Sequence, residues 1–338
     1  MMSHHNNFTL LRLLLALLVV LGHFAVLPQG GPATGIFGYA TFAVDTFFVI
    51  SGYLIFASFD QQPEIGGFYI RRLFRIYPLY ATVVVAQGLV MAVLAGGILQ
   101  HGAELMHYLA LNLLMANFFA YDIGGLLSGL HNPGINPSLW TLKIELAFYL
   151  LLPMLWYLTQ CFRWRFLLLL YLLSTVYAAI TMHAGLDALA RQLPGQMRFF
   201  TVGMALYYYR DRITLPTLQA LALAVPLFIL AVYDEHAPFM LPFHPICAGL
   251  VMFLFVCRLP AVPLRFDISY GVYLLHGPLI QLALLLGIFR DSMGFLALLL
   301  ALVLALAFAA EQVVELPGIR FGKHLARVWT MRLERRKA

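Results

Sequence analysis

The sequence predicts an all-α fold, a polytopic integral membrane helical bundle of about ten transmembrane helices with both termini in the cytoplasm. Three observations favour this fold. Of the 338 residues, 62% are hydrophobic and only 11% are Asp, Glu, Lys or Arg, whereas soluble domains carry about 25% charged residues. The mean hydropathy is +0.86. Apolar runs close to the ~20 residues that cross a membrane as a helix recur along the chain, so no separate soluble domain is expected.

The order and sidedness of the helices follow from these runs and from the charges between them. Predicted spans lie near residues 8–28, 36–58, 76–97, 138–159, 166–184, 196–210, 214–233, 239–257, 268–289 and 293–315. Cytoplasmic loops are enriched in Lys and Arg, and arginines mark the loop 59–75 and the turns near residues 164, 211 and 260 as cytoplasmic. The turns near 187, 235 and 290 carry little positive charge and are predicted to lie outside.

A further apolar run, residues 104–121, is ambiguous. A span there would move Arg163 and Arg165 to the outside, against the positive-inside rule, so we expect this run to be re-entrant or interfacial on the outer side. The stretch 121–137 that follows is rich in Gly, Asn and Pro, and we expect an outer loop without helix or strand.

The chain is expected to form one membrane domain, residues 1–318, followed by a basic cytoplasmic tail, residues 319–338. The net charge of +6 is concentrated in this tail, which is typical of an anchor attracted to anionic membrane lipids. Nucleic acid is the weaker alternative partner and is not expected. Cys161, Cys247 and Cys257 lie in or beside apolar runs without ligand spacing, so neither a disulfide framework nor a metal site is expected.

The first span carries two polar residues that are unfavourable in hydrocarbon. A charged side chain inside a span costs roughly 2.5–3.5 kcal/mol on insertion scales, and such residues usually have a function. Arg12 and His23 are separated so that they lie within about 20° of each other on a helix and ~16 Å apart along it. One helix face is therefore predicted to carry a cation near the membrane surface and an imidazole deeper inside.

Two carboxylates are also predicted inside spans. Asp45 lies in the outer half of the second span, close to Ser51 and Gly52, which allow close helix approach. We expect Asp45 to pair with His23, or to form a structural ion pair. Glu145 lies about two turns inside the fourth span, with little in the sequence to satisfy it.

Three arginines, Arg71, Arg72 and Arg75, precede the third predicted span. Positive-inside orientation alone explains such a cluster. Guanidinium groups also bind phosphates bidentately, so the same residues are candidates to hold a cytoplasmic anion.

Candidate residues for a second ligand lie in and after the outer loop. Trp140 offers a flat apolar platform with an N–H donor, which suits a sugar ring. Asn132 and Asn136 can each donate and accept hydrogen bonds with hydroxyl groups.

A last polar face is predicted near the ninth span. Ser269, Tyr273 and His276 follow i, i+4, i+7 spacing and so share one helix face. Pro278 weakens the helix locally and is expected to free a backbone carbonyl.

Six short motifs, in this order, resemble acyltransferase family 3, the multi-span bacterial acyltransferases that include the O-antigen O-acetylases. The motifs are R-x10-H at Arg12 and His23, VDTFFVISGYLI, RRLFRIYPLY, SLWTLKIELAFYLLLP, SYGVYLLH and VVELP, and they extend over essentially the whole chain. The resemblance implies that an acyl group, most often acetyl, passes from cytoplasmic acyl-CoA to a hydroxyl on a glycan or small molecule at the outer face. It implies functional roles for Arg12, His23, the Arg71–Arg75 cluster and Glu145, and a place in the bacterial inner membrane. No hydrolase-like domain is expected after the last span.

The residues themselves suit this chemistry. Arginines at the cytoplasmic rim can hold the phosphates of the coenzyme donor, and the neutral imidazole of His23 can take a proton from the attacking hydroxyl. Asp45 or Glu145 would orient the imidazole and stabilise its charged form, as the carboxylate of a catalytic triad does. A covalent route in which His23 or His276 is transiently acylated stays open.

A proton-coupled transporter is the alternative function, because transporters also carry His, Asp, Glu and Arg inside spans. It predicts solute flux without acyl-CoA and usually an internal repeat, and no repeat is visible in the sequence. An intramembrane protease is a weaker alternative, since neither G-x-S-x-G nor H-E-x-x-H occurs.

Overall fold

The computed structural model describes residues 7–29, 38–213, 219 and 241–337, and the regular structure in these ranges is entirely helical. In chain order the helices are α1 (Phe8–Gln29), α2 (Ala40–Gln61), α3 (Ile65–Leu94), α4 (Gly102–Leu113), α5 (Trp140–Phe162), α6 (Trp164–His183), α7 (Asp187–Ala190), α8 (Leu193–Tyr208), α9 (Phe243–Cys257), α10 (Ser269–Leu285), α11 (Met293–Ala310) and α12 (Leu316–Lys337). Short 3₁₀ turns, Asn117–Phe119 and Arg210–Arg212, follow α4 and α8, and a π-helical turn, Glu311–Glu315, joins α11 to α12.

The predicted fold class, a polytopic membrane helical bundle, is confirmed. In the part of the chain that the structure describes, six helical segments are long and apolar enough to cross a membrane, namely α1, α2, α3, α5, α6 and the continuous segment Met293–Leu333. Helices α9 and α10 are apolar but shorter. Helix α8 occupies the sixth predicted span, and the seventh, residues 214–233, lies outside the described residues. The total number of spans and the side on which the termini lie stay predictions.

Helix α3 begins earlier than predicted and includes the three arginines of the cytoplasmic cluster. We placed the start of this span at residue 76, whereas the helix begins at Ile65. The carboxylate of Glu64 accepts hydrogen bonds from the backbone N–H groups of Gly66 and Gly67, at 2.8 and 2.6 Å. A carboxylate at this position satisfies donors that have no partner inside the helix and interacts favourably with the helix dipole. The arginines therefore lie on the helix itself.

The chain folds into two compact units. Unit 1 comprises the described parts of residues 1–15, 41–68 and 144–265, and unit 2 comprises those of residues 16–40, 69–143 and 266–338.

In unit 1, aromatic rings and two glycines pack α2 against α8. The ring of Phe200 lies beside those of Phe48 and Phe148, with ring centroids 5.0 and 4.1 Å away. Gly52 and Gly203 lie so close to the backbone of the opposite helix that any side chain there would collide with it. The close helix approach predicted at Gly52 is confirmed.

In unit 2, α10 packs closely on α11 where Gly271 faces Ala307, since a β-carbon added at Gly271 would lie 3.0 Å from the Cα atom of Ala307. The π-helical turn after α11 directs Glu311 and Glu315 into the interior, where their exposed fractions are 4% and 2%. Residues 319–337 of the predicted basic tail continue as helix α12. The attachment of this tail to lipid stays a prediction.

The segment between α3 and α5 belongs to unit 2. Helix α4 has 12 residues, fewer than the ~20 needed to cross a membrane, which supports the re-entrant or interfacial interpretation of residues 104–121. Residues 121–137 contain neither helix nor strand, as predicted. The Gly124 N–H donates to the Glu104 carboxylate at 2.6 Å, and His101 Nδ1 lies 3.2 Å from it. These hydrogen bonds, the backbone one first, lower the pKa of Glu104 below its ordinary value.

Candidate active site

The candidate active site is built around α10 in unit 2, where a proline shapes the backbone. Pro278 has no N–H to donate to the carbonyl of Leu274 four residues earlier. Asn136 takes that carbonyl instead, because its Nδ2 donates to it at 3.0 Å. The predicted freeing of a carbonyl by Pro278 thus agrees with the structure, and the bond docks the end of the outer loop onto α10 two residues before His276.

Two histidines meet in this unit. Nδ1 of His23, on α1, lies 2.7 Å from Nε2 of His276, on α10. His276 is fully buried, with an exposed fraction of 0%, whereas His23 is partly exposed. His276 is thus a hydrogen-bond partner of His23 within unit 2, and the expected pairing of His23 with Asp45 stays a prediction.

Two further polar groups contact the His276 ring. Its Nδ1 lies 3.0 Å from the carbonyl oxygen of Val272, one helical turn earlier. The hydroxyl oxygen of Ser138 lies 3.4 Å from its Nε2, and Ser138 is fully buried. The backbone N–H of Ser138 donates to Oδ1 of Asn136 at 3.1 Å, so the same asparagine that docks the loop also places Ser138.

Buried amides hold the outer loop in unit 2. Gln87 donates to the hydroxyl of Tyr108 at 2.7 Å and accepts a hydrogen bond from Asn136 at 3.2 Å. Gln281 donates to the backbone carbonyls of Asn132 and Gly134, at 2.7 and 2.8 Å. The amides of the predicted acceptor site therefore take part in hydrogen bonds that build the loop.

Three residues of this site were missed from the sequence: Ser138, Gln87 and Gln281. Each is a polar side chain within or beside an apolar run. A polar group there is unfavourable without a partner, and this was the signal available.

The other two residues of the predicted polar face of α10 also have partners in unit 2. The hydroxyls of Tyr273 and Thr141 lie 2.8 Å apart, and the ring centroid of Tyr273 is 6.0 Å from that of His276. Ser269 donates to the carboxylate of Asp267 at 2.7 Å. Direct contact of Ser269, Tyr273 or His276 with a substrate stays a prediction.

Arg75 of the arginine cluster lies close to two carboxylates. Arg75 lies 3.0 Å from the carboxylate of Asp267 and 3.8 Å from that of Glu315. The backbone N–H of Asp267 in turn donates to Glu311 at 2.8 Å. Arg71 and Arg72 are partly buried on α3. Phosphate binding by the cluster stays a prediction.

Glu145 lies on α5 in unit 1 and has two hydrogen-bond partners. The hydroxyl of Ser51 donates to it at 3.1 Å, and the hydroxyl of Tyr149 also donates to it. The expectation that little is present to satisfy Glu145 is therefore wrong, because Ser51 comes from a different helix, α2.

The remaining predicted residues are Asp45, Arg12 and Trp140, which lie on α2, α1 and α5. Asp45, on α2, interacts electrostatically with Arg198 on α8, both within unit 1. Arg12 is partly buried on α1, the same continuous helix that carries His23. Trp140 is the first residue of α5 and is partly buried. Within residues 7–29, 38–213, 219 and 241–337, no group of three or more His, Cys, Asp or Glu side chains is placed to hold a metal ion.

Comparison with known proteins bears on this site. The sequence pattern of the family described as "Acyltransferase domain" matches residues 5–311. The chain belongs to acyltransferase family 3. This membrane acyltransferase is 26% identical over 299 residues to the O-acetyl transferase of Shigella phage Sf6, covering 84% of this chain and 87% of that protein.

A second relative of the acyltransferase is Nodulation protein 10 of Rhizobium leguminosarum bv. viciae. It is 34% identical over 165 residues, which cover 45% of this chain and 44% of that protein. The match thus spans less than half the length of this relative. No solved structure matches the acyltransferase. The family predicted from the six motifs is confirmed by the match over residues 5–311.

Proposed function

We propose that this acyltransferase moves an acyl group, acetyl in the first place, from acyl-CoA on the cytoplasmic side to a hydroxyl of a glycan or related acceptor at the outer face of the bacterial inner membrane. The observation that carries the proposal is the partly exposed imidazole of His23, held 2.7 Å from the buried His276 inside a membrane helix bundle. The phage Sf6 relative is named an O-acetyl transferase, which supports a hydroxyl acceptor and an acetyl group.

The chemistry assigned to His23 is that of a general base. Its imidazole accepts the proton of the acceptor hydroxyl while the hydroxyl oxygen bonds to the acyl carbon. The bond from that carbon to the coenzyme sulfur breaks, and the proton passes from His23 to the departing thiolate. The products are an ester and a free thiol, and His23 returns to its neutral form.

The donor is assigned to cationic residues at the predicted cytoplasmic rim. Arg71 and Arg72 are partly buried on α3, and guanidinium groups bind phosphates bidentately. Arg12 is proposed to take part in the transfer from its place on α1, the helix that carries His23. Arg75 belongs to the predicted phosphate cluster, and its contacts with Asp267 and Glu315 give it a positioning role within that cluster.

The acceptor is assigned to the outer loop and the start of α5. Trp140 is proposed to stack on a sugar ring, and Asn132 to bind a hydroxyl through its amide. Asn136, the third candidate to bind a hydroxyl, is hydrogen-bonded to Leu274, Gln87 and Ser138. Glu145 and Asp45 stay candidate catalytic carboxylates, proposed in the role that the carboxylate of a catalytic triad has.

Complementation of a deletion strain tests this function. The readout is the mass of the surface glycans, in which each acetyl group is detected directly. Wild-type protein is expected to restore acetylation and His23→Ala to abolish it, at equal amounts of protein in the membrane. His183→Ala is the matched control, because His183 is an exposed histidine at the end of α6.

The outcomes separate the alternatives. Acetylation restored by His23→Ala would rule out His23 as the base. Solute uptake by purified protein in vesicles without acyl-CoA, together with no acyl transfer, would favour the transporter. Unchanged glycans in the deletion strain would exclude a surface glycan as the acceptor.

A further inference from the structure

We propose that His276 is a positioning residue, which holds His23 in the tautomer that leaves Nε2 of His23 as the basic nitrogen. This inference rests on the proposed function and adds to it the identity of the reacting atom. It also changes the role of His276, which we had predicted to bind substrate.

The first step concerns the proton on His276. Its Nδ1 lies 3.0 Å from the backbone carbonyl of Val272, and a carbonyl oxygen can only accept a hydrogen bond. Nδ1 of His276 is therefore the donor. A neutral imidazole carries one N–H, and a fully buried ring is unfavourable in its charged form. Nε2 of His276 is accordingly an acceptor.

The second step concerns the proton on His23. Nδ1 of His23 lies 2.7 Å from the acceptor nitrogen of His276, within hydrogen-bond distance. Two acceptor nitrogens cannot form a hydrogen bond, so Nδ1 of His23 carries the hydrogen. In neutral His23 the lone pair is then on Nε2. Ser138 lies farther from the same acceptor, at 3.4 Å, and competes weakly.

The ring geometry agrees with a hydrogen bond between ring edges. The two ring centroids are 4.9 Å apart and the ring planes differ by 26°. With the two nitrogens at 2.7 Å, this centroid separation is close to the largest that the rings allow. The rings therefore point at each other through their nitrogens and do not lie face to face.

Burial separates the roles of the two histidines. His276 has an exposed fraction of 0%, and its two nitrogens are occupied by Val272 and by His23. His23 is partly exposed and has one nitrogen outside this chain of hydrogen bonds. When Nε2 of His23 takes up a proton, its Nδ1–H bond to His276 becomes charge-assisted and stronger. His276 thus stabilises the protonated base without touching the substrate.

The test compares His276→Ala with His276→Gln in purified protein. The assay measures coenzyme A released from acetyl-CoA in the presence of unacetylated glycan from the deletion strain. Loss of the orienting group is expected to lower kcat by about 10²–10⁴-fold, with both KM values near wild type. Gln carries an amide oxygen close to the position of Nε2, and it is expected to recover about tenfold or more of the Ala loss.

A second measurement reads the tautomer directly in the wild-type protein. Two-bond ¹H–¹⁵N correlation spectra of histidine-labelled wild-type protein in nanodiscs report which nitrogen of His23 carries the hydrogen, with His23→Gln used for assignment. We expect Nδ1–H for His23. Ser138→Ala is expected to leave this tautomer unchanged.

Four results would overturn the inference. The first three are an Nε2–H tautomer for His23, wild-type kcat in His276→Ala, and a raised acceptor KM at unchanged kcat in that variant. The fourth is acylated Ser138 in the mass spectrum of protein treated with acetyl-CoA. Activity of His23→Ala would instead contradict the proposed function, so the two failures are distinguishable.

Discussion

Single polar side chains inside the helices decide what this protein can do, because each is unfavourable in hydrocarbon and needs a partner or a ligand. His276 shows the first case, since its ring nitrogens lie within hydrogen-bond reach of Val272 and His23. Glu145 shows it again through Ser51 and Tyr149. An experiment on a single residue therefore has to show whether its side chain is satisfied by another protein group or by a bound substrate.

Substitutions of Arg12 are expected to show whether this side chain binds a ligand or only a structural partner. Arg12→Ala is expected to reduce acetyl transfer nearly as far as His23→Ala, and Arg12→Lys to recover only part of it, because lysine lacks the bidentate fork. The measurement is acetyl-CoA affinity and transfer rate of the purified variants. Full activity of Arg12→Lys would show that a point charge is sufficient, and full activity of Arg12→Ala would remove Arg12 from the mechanism.

At the scale of elements, one hydrogen bond links the outer loop to α10 at the carbonyl that Pro278 leaves free. Pro278 leaves the Leu274 carbonyl without a helical donor, and Asn136 supplies one at 3.0 Å. The loop is thereby tied to the helix that carries His276. Pro278 lies only four residues from the Leu274 carbonyl, whereas the donor Asn136 lies 138 residues from it.

A double-mutant cycle tests this link between Asn136 and Pro278. Asn136→Ala is expected to destabilise the protein by about 1–3 kcal/mol, since a buried carbonyl loses its partner. In a Pro278→Ala background the cost should fall, because the new N–H at position 278 can donate to Leu274. The readout is thermal stability in detergent, with His131→Ala as the control at an exposed loop position. Additive effects of the two changes would disprove the shared carbonyl.

The contact between α3 and the π-helical turn is a second element-scale feature. Arg75 lies near Asp267 and the buried Glu315. Arg75→Gln is expected to cost about 1.5–3 kcal/mol of stability, as for a hydrogen bond to a charged group, and Arg75→Gln with Glu315→Gln to cost less than Arg75→Gln alone. Lys323→Gln, an exposed cation on α12, should leave stability unchanged.

Donor binding distinguishes the members of the same cluster. Arg72→Gln is expected to weaken acetyl-CoA binding, because phosphate binding is proposed for this arginine and glutamine lacks the charged bidentate fork. Isothermal titration with acetyl-CoA measures the difference. Equal affinities in wild type and in Arg72→Gln would support positive-inside orientation as the whole explanation of the cluster.

At the scale of the whole molecule, the prediction concerns orientation in the membrane. Ser128 is exposed in the outer loop, and Cys161 is exposed at the opposite, predicted cytoplasmic end of α5. In a background with Cys257→Ser, an impermeant maleimide is expected to label Ser128→Cys in intact spheroplasts, and Cys161 only after permeabilisation. The buried Cys247 serves as the internal unlabelled control.

The reverse pattern would mean either that residues 104–121 span the membrane, so that the ten-span count is wrong, or that the bundle is inverted. Labelling of both cysteines from outside would mean that α5 does not cross the membrane. Gly125, in the same loop, is unsuitable for a cysteine because its φ of +66° is strained for any other residue.

The sequence by itself determined the helices, the family and much of the loop. Backbone groups in lipid have to be satisfied within their own segment, so spanning helices appear as continuous apolar runs that can be read without tertiary structure. Pro278 could be interpreted for the same reason, because the carbonyl it frees lies four residues away. The early start of α3 was missed, since the capping by Glu64 lies outside the apolar run.

Only the tertiary structure decided which polar side chains meet. His23 and His276 are 253 positions apart, and Ser51 and Glu145 are 94 apart. Helical periodicity places a side chain on a face of its own helix, but it carries no information on which helix packs against that face. The meeting of His23 with His276 therefore depends on helix packing within unit 2, which follows from the shape and close approach of its helices.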